Sequence, residues 1–223
     1  MGLFRSLVNR RLRWGLSWRG WGLLGLAVLL AGTGLVRTIH PFLAVTKRVN
    51  TKVLVVEGWT HDFGVDGAVK EFKRGHYERI LTTGGPDERA GLTSSIYDTD
   101  AYQSAELLRK AGLTSNEIQS VPAVYVGRDR TYNSALALRT WLLTNAPTVD
   151  KINVLTEDAH ARRTWLLFKE ALGPDMKVGI ISVPNPDYDA NHWWRSSDGV
   201  REVIDESIAY LYAKFFFWPQ SQP

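Results

Sequence analysis

The chain has 223 residues, of which 44% are hydrophobic and 11% aromatic, and it contains no cysteine. This length suits one globular domain with an additional segment, and the aromatic content argues against intrinsic disorder. The lack of cysteine excludes disulfide scaffolds, thiolate zinc sites, iron–sulfur clusters and cysteine nucleophiles.

The formal net charge of +4 is unevenly distributed along the chain. Six arginines and no acidic residue lie in the first 37 positions, so the remaining 21 basic and 23 acidic residues give the rest of the chain a net charge of −2. A nucleic-acid-binding domain carries its basic excess on the folded part. We therefore expect no nucleic-acid partner.

Residues 20–36 form an uncharged apolar run, GWGLLGLAVLLAGTGLV. As a helix, its 17 residues span about 25 Å, near the thickness of a bilayer core. We predict a basic cytoplasmic arm over 1–19 and a membrane anchor over 20–40. The arginines before the run predict a cytoplasmic N-terminus, with the domain that follows the anchor outside. A cleaved signal peptide and a buried core helix are the alternatives.

After a connector over 41–51, apolar runs and helical patterns alternate. We predict strands at 53–56, 79–83, 121–126, 152–156 and 178–183, and helices at 65–75, 99–111, 133–143, 158–172 and 200–216. This order predicts an α/β fold: a doubly wound, Rossmann-like, five-stranded parallel sheet with helices on both faces, preceded by one transmembrane helix. The α/β domain should span 52–214, followed by an aromatic tail over 215–223.

Ligands bind such sheets beyond the carboxyl ends of the strands. The fourth predicted strand leads to His160 and Arg163. With Asp158 as the helix N-cap, these two side chains share a helix face, whereas Arg162 faces away. His160 is thus a candidate for proton transfer, although a capped helix start with solvated arginines explains the same pattern.

The other strand ends supply further candidates. Glu57 suits a general base or an acceptor for sugar hydroxyls, or else a buried partner of an arginine. Arg128 and Arg130 suit an anion near a helix N-terminus, or else surface salt bridges. Gly84 and Gly85 allow close backbone approach to a ligand, or simply form a tight turn.

Cofactor motifs do not follow the predicted strands. After the first strand the chain reads EGWTHDFG, with no G-x-G-x-x-G, and the sequence contains no G-x-x-x-x-G-K-[ST], no G-x-S-x-G and no histidine pair at metal-ligand spacing. We therefore expect neither a cofactor nor a bound metal.

Aromatic residues form two further features. Trp59, Trp193 and Trp194 fall in predicted loops, where they stack on sugar rings or pack beneath a loop. The aromatic run at 215–218 either lies in the membrane interface beside the anchor or docks the last helix onto the sheet.

Several segments resemble the ElyC/SanA/YdcF family of bacterial envelope proteins. They are VLVVEG at 53–58, Thr83-Gly84-Gly85, Thr99-Asp100-Ala101 before Gly112, VLTEDAHARRT at 154–164 and REVIDESIAYLY at 201–212. The resemblance covers about 52–212. It implies Gly58 as a ligand-binding position, Asp100 as an alternative proton-transfer group, and Glu202 or Glu206 as the glutamate of the last helix.

One segment departs from the family pattern. The family's N-T-x-E-N resembles residues 130–134, where Thr131 is kept but the acid and amide are replaced. The resemblance implies a location in the bacterial inner (plasma) membrane with the domain facing the periplasm, and a role in envelope integrity and peptidoglycan-related processes. We therefore expect the cleft to bind, and to process if a reaction occurs, an anionic envelope glycan or lipid-linked precursor. Arg128, Arg130, Thr131 and Arg163 would hold the anion near Gly84 and Gly85. The alternative is a non-catalytic scaffold for envelope-synthesis proteins.

Overall fold

The structure, a computed structural model, describes residues 18–86, 99–123 and 128–219. The chain divides into two units, Met1–Thr38 and Ile39–Pro223. Most of the predicted basic arm, the end of the predicted third strand and the last residues of the aromatic tail lie outside the described residues.

The first helix, α1 (Trp18–Leu43), is long and apolar enough to cross a membrane, with a mean hydropathy of 1.8 in its most apolar window. Its hydroxyl groups bond within the helix: Thr33 Oγ1 donates to Leu29 O and Thr38 Oγ1 to Gly34 O, each at 2.8 Å. Internal satisfaction of polar groups is what a hydrocarbon environment requires. The prediction of one N-terminal helix suited to a membrane is confirmed.

The second unit contains a parallel sheet of five strands in the order β3-β2-β1-β4-β5. The strands are β1 (Val53–Glu57), β2 (Arg79–Gly84), β3 (Ile118–Pro122), β4 (Lys151–Glu157) and β5 (Lys177–Val183). The helices are α2 (Asp62–Arg74), α3 (Asp100–Lys110), α4 (Arg130–Asn145), α5 (Ala161–Leu172) and α6 (Ser197–Phe215). The predicted Rossmann-like α/β fold is confirmed.

Alternation along the central strand explains why both faces of the sheet are covered. Val53 and Val55 pack into the apolar cluster beneath α4 and α5, whereas Leu54 and Val56 pack into the cluster beneath α2 and α3. Successive side chains of a strand point to opposite faces. A continuous apolar run is therefore buried on both sides.

The third strand differs from its prediction, since it begins at Ile118 and ends at Pro122 rather than covering 121–126. It lies at the edge of the sheet, where only Ile118 and Val121 of its five side chains are buried. A half-exposed edge strand gives a weak apolar signal, and its edge position tolerates the proline.

The predicted connector is attached to the sheet. Lys47 bridges Ile180 in antiparallel fashion, with both backbone hydrogen bonds formed. The side-chain amide of Asn153 accepts from Val49 N at 2.8 Å and donates to Val49 O at 2.9 Å. One buried polar side chain on β4 therefore fixes the segment that precedes β1.

Two glycines let the start of α3 pack directly on the strand ends. A Cβ at Gly58 would collide with the Asp100 carbonyl and lie 2.8 Å from Ala101 N, and a Cβ at Gly84 would lie 2.6 Å from Asp100 Cβ. The close approach that we predicted for a ligand at Gly84 is thus made by a helix. These contacts hold Asp100 at the carboxyl edge of the sheet.

We expect Gly58→Ala to destabilise the fold by about 1–3 kcal/mol, because backbone atoms cannot yield to the added methyl group. Urea unfolding of the full chain in detergent measures this change. Gly32→Ala is the matched control, since a Cβ there meets nothing within 4 Å. An unchanged unfolding midpoint for Gly58→Ala would show that α3 does not pack on β1 in this way.

Candidate functional site

The strand order places the candidate site between β1 and β4. These strands are adjacent in the sheet although β2 and β3 separate them along the chain. Doubly wound folds bind ligands at such a switch in strand order. Glu57 ends β1 and Glu157 ends β4, and both side chains are almost completely buried.

His160 lies at the centre of this edge. It closes the 3₁₀ turn Asp158–His160 between β4 and α5, and it is buried. Its Nδ1 lies 2.9 Å from Oε1 of Glu206 on α6, and its Nε2 lies 3.9 Å from Oε2 of Glu57. The Trp59 ring covers the imidazole, with the ring centroids 4.6 Å apart.

Arg163 binds the same carboxylate. Its Nε donates to Oε2 of Glu206 and its Nη2 to Oε1, both at 2.9 Å. The predicted shared face is observed, since Arg163 Nη2 lies 3.0 Å from His160 Nδ1, whereas Arg162 turns away and donates to Phe42 O. Glu206 therefore joins the histidine and the arginine into one unit.

Ionised Glu206 is stabilised inside the protein. Burial opposes its charge, but hydrogen bonds from His160 and Arg163 outweigh burial and lower its pKa to about 2. Of the two glutamates implied by the family resemblance, Glu206 is thus the one that contacts both His160 and Arg163.

The hydrogen-bond network assigns the tautomer of His160. Ionised Glu206 has only acceptor atoms, so the nearby Nδ1 of His160 carries the proton that it donates. Arg163 is a donor as well, which means that its contact with Nδ1 is packing rather than a hydrogen bond. In the neutral ring, Nε2 keeps its lone pair, with Arg163 Nη2 at 3.4 Å and Glu57 Oε2 at 3.9 Å.

Glu57 has a hydroxyl partner. Thr164 Oγ1, on α5, donates to Glu57 Oε2 at 2.8 Å in the buried interior. Among the described residues, no arginine pairs with Glu57 within hydrogen-bond distance. Glu57 thus lies beside Nε2 of His160, at a distance longer than a hydrogen bond.

A second acid–histidine pair adjoins this centre and was missed from the sequence. The carboxylate of Glu157 accepts from His61 N and lies 3.0 Å from His61 Nδ1. Burial raises the pKa of Glu157, and the hydrogen bond to Glu157 raises the pKa of His61. His61 follows β1 by four residues, so the strand-end rule applied further along the loop would have found it.

Asp158 does not cap the helix as we predicted. Its backbone is left-handed, with φ of 29°. Its carboxylate lies 3.0 Å from His40 Nε2 and accepts from Asn185 N at 3.3 Å. The prediction was wrong because the 3₁₀ turn directs this side chain away from the amide groups of α5.

The remaining candidates form a second group along the same edge. Asp100 Oδ2 accepts from Arg130 Nη2 at 2.8 Å, and Asp100 N donates to Gly85 O at 2.8 Å. Arg130 begins α4, Thr131 follows it and is buried, and the Arg128 side chain is exposed. Asp100 therefore pairs with a cation rather than contacting His160.

Five acidic side chains and the Arg163 guanidinium lie around the histidine. The acids Glu57, Glu157, Asp158, Glu202 and Glu206 all lie close to it, and burial together with the charge of Glu206 raises the pKa of Glu202. Arg163 and Arg130 are each paired with a carboxylate. Across the described ranges, no group of three histidine or acidic side chains has a metal-binding arrangement. The histidine environment suits hydroxyl groups and proton transfer.

Of the other tryptophans singled out, Trp193 and Trp194 lie in a 3₁₀ helix, Ala190–Arg195, with their rings edge to face at 5.9 Å. Trp193 is buried, and its carbonyl closely approaches Gly199 in the first turn of α6. This pair packs against the start of the helix that carries Glu206.

Comparison with known proteins adds no assignment, since no family model, curated protein or solved structure matches the chain.

We expect acid to remove the stabilisation that ionised Glu206 provides. Its pKa of about 2 lies below the ordinary value of 4.5, so the contribution is complete above the ordinary value and is lost as the pH falls through the folded-state value. The shift corresponds to roughly 3 kcal/mol. Between about pH 5 and pH 2, the unfolding free energy in urea should fall more steeply for wild type than for Glu206→Gln.

Glu202→Gln is the matched control, one helical turn away. Because the pKa of Glu202 is raised, its ionisation opposes folding at neutral pH. This variant should keep or gain stability at neutral pH, where Glu206→Gln loses it. Equal losses in the two variants would contradict the assigned roles.

Proposed function

We propose that the α/β domain binds an anionic glycan or lipid-linked precursor of the cell envelope at the carboxyl edge of its sheet. His160 Nε2 accepts or delivers a proton at a ligand hydroxyl. The observation that carries this proposal is the buried Glu206–His160 pair, which fixes the imidazole with the Nε2 lone pair beside Arg163 and Glu57. A carboxylate that orients a histidine in this way also stabilises the imidazolium formed on proton transfer.

The anionic part of the ligand would bind away from His160. Acidic side chains crowd the histidine, whereas Arg128 and Arg130 lie at the start of α4, a helix of 16 residues. The N-terminus of a helix favours negative charge, and exposed guanidinium groups add donors for phosphate. The two groups adjoin, because Asp100 holds Arg130 while packing on Gly58 beside Glu57.

The apolar helix α1 supports an anchored location for this activity. The arginine-rich start of the chain favours a cytoplasmic N-terminus and a domain on the periplasmic side of a bacterial plasma membrane. In that location, an envelope precursor could place its phosphate group at Arg128 and Arg130 and a sugar hydroxyl at His160. The resemblance to the ElyC/SanA/YdcF family agrees with this location.

Thermal unfolding of the full chain in detergent tests the proposal. The probes are UDP-N-acetylglucosamine and farnesyl diphosphate, with uncharged chitobiose as the comparison. A ligand at a hundred times its Kd should raise the midpoint by about 5–11 °C. We expect a shift with a phosphorylated probe, a smaller shift in Arg130→Gln, and an unchanged shift in Arg201→Gln, an exposed arginine on α6.

His160→Gln separates binding from proton transfer. We expect this variant to retain most of the thermal shift but to lose turnover of whichever probe is converted, as followed by mass spectrometry. His192→Gln replaces an exposed histidine that is paired with Asp189, and it should change neither the thermal shift nor the turnover. A folded protein with no shift for any probe would contradict the proposal and favour the scaffold.

A further inference from the structure

The outer face of α6 carries an apolar stripe that the protein leaves uncovered. The stripe consists of Ile204, Ile208, Leu211 and Phe215, which are 45–65% exposed. Their spacing of four, three and four residues places them along one side of the helix. Tyr212, Phe216 and Trp218 add exposed aromatic surface at the same end.

Charge is strongly polarised along this helix. The acidic residues Asp198, Glu202, Asp205 and Glu206 all lie in its first half, whereas Lys214 is the only charged residue between Ser207 and Pro223. Exposed Phe, Tyr and Trp with a cation and no acid are typical of the membrane–water interface. The second half of α6 therefore differs chemically from the half that carries Glu206.

Contacts bring this second half close to the end of α1. The Phe42 ring, in the last turn of α1, packs edge to face on Tyr210 with centroids 5.4 Å apart. Arg162 lies over the same ring at 4.3 Å and donates to Phe42 O at 2.7 Å. The last turn of α1 therefore contacts the second half of α6.

The aromatic tail itself divides into two environments. Phe217 docks on α4, with its ring 5.0 Å from that of Tyr132. Phe215, Phe216 and Trp218 remain 65–82% exposed. Docking of Phe217 fixes the end of α6 against the domain, and this holds the exposed rings outward.

We infer that the second half of α6 is a membrane-binding surface, whose stripe and aromatic tail insert into the interfacial region of the bilayer that α1 crosses. The occupant is lipid, because the second half of α6 combines an apolar stripe, aromatic rings and one cation, and its Tyr210 contacts Phe42 in the last turn of α1, a helix suited to a membrane. The inference does not depend on the ligand proposed for the carboxyl edge. With α6 on the membrane, the helix that carries Glu206 is held at the bilayer surface.

The absence of cysteine allows a direct test on the full chain. Single cysteines replace Ile208, Leu211 or Phe215 and carry a nitroxide spin label in phosphatidylcholine–phosphatidylglycerol nanodiscs. Power saturation compares collision with oxygen, which concentrates in lipid, and with an aqueous nickel chelate. Leu143→Cys is the matched control, since Leu143 is a 67% exposed leucine on α4. Unchanged thermal midpoints verify that each variant is folded.

We expect the oxygen-to-nickel collision ratio at positions 208, 211 and 215 to exceed that at 143 several-fold. Asp205→Cys, beside the stripe, should give an intermediate ratio. Equal ratios at 215 and 143 would overturn the inference. So would protection from both reagents with dipolar broadening between labels, because that result identifies a second copy of the chain as the occupant.

Discussion

The arrangement of the candidate site depends on the buried carboxylate of Glu206. It accepts hydrogen bonds from His160 and Arg163, which lie 46 and 43 positions earlier in the chain. A buried carboxylate without such partners would carry a large desolvation cost. Its partners instead lower its pKa to about 2. One acid on α6 thus sets the tautomer of the histidine, holds the arginine and ties α6 to α5.

The sequence predicts those features of the site that depend on residues close together in the chain. Helical spacing placed His160 and Arg163 on one face, and alternating apolar runs predicted five parallel strands, of which the third overlaps the observed β3 only at residues 121 and 122. The partner of His160 could not be found in this way, because α6 reaches the site through packing that no local pattern encodes. The prediction that Asp158 caps the helix failed for a related reason. The left-handed backbone of Asp158 and its contact with the distant His40 set the direction of its side chain.

Close backbone packing organises the second group of candidates. Gly58 and Gly84 were expected to approach a ligand, yet both receive the start of α3, which holds Asp100 against Arg130. A glycine in the sequence indicates that another group approaches the backbone closely, but it does not identify that group. The arginine and acid at this edge are therefore a formed ion pair, adjoining the histidine centre through Gly58. An anionic ligand has to compete with Asp100 for Arg130, which makes the exposed Arg128 the more available cation.

The most direct test is nitrogen NMR of the His160 ring in the full chain with labelled histidine, with the signals assigned by comparison with His160→Gln. The measurement is made at a pH where the ring is neutral. We predict protonated Nδ1 and unprotonated Nε2, with this preference reduced in Glu206→Gln. A wild-type ring protonated at Nε2 would contradict the claim that Glu206 orients His160 for proton transfer.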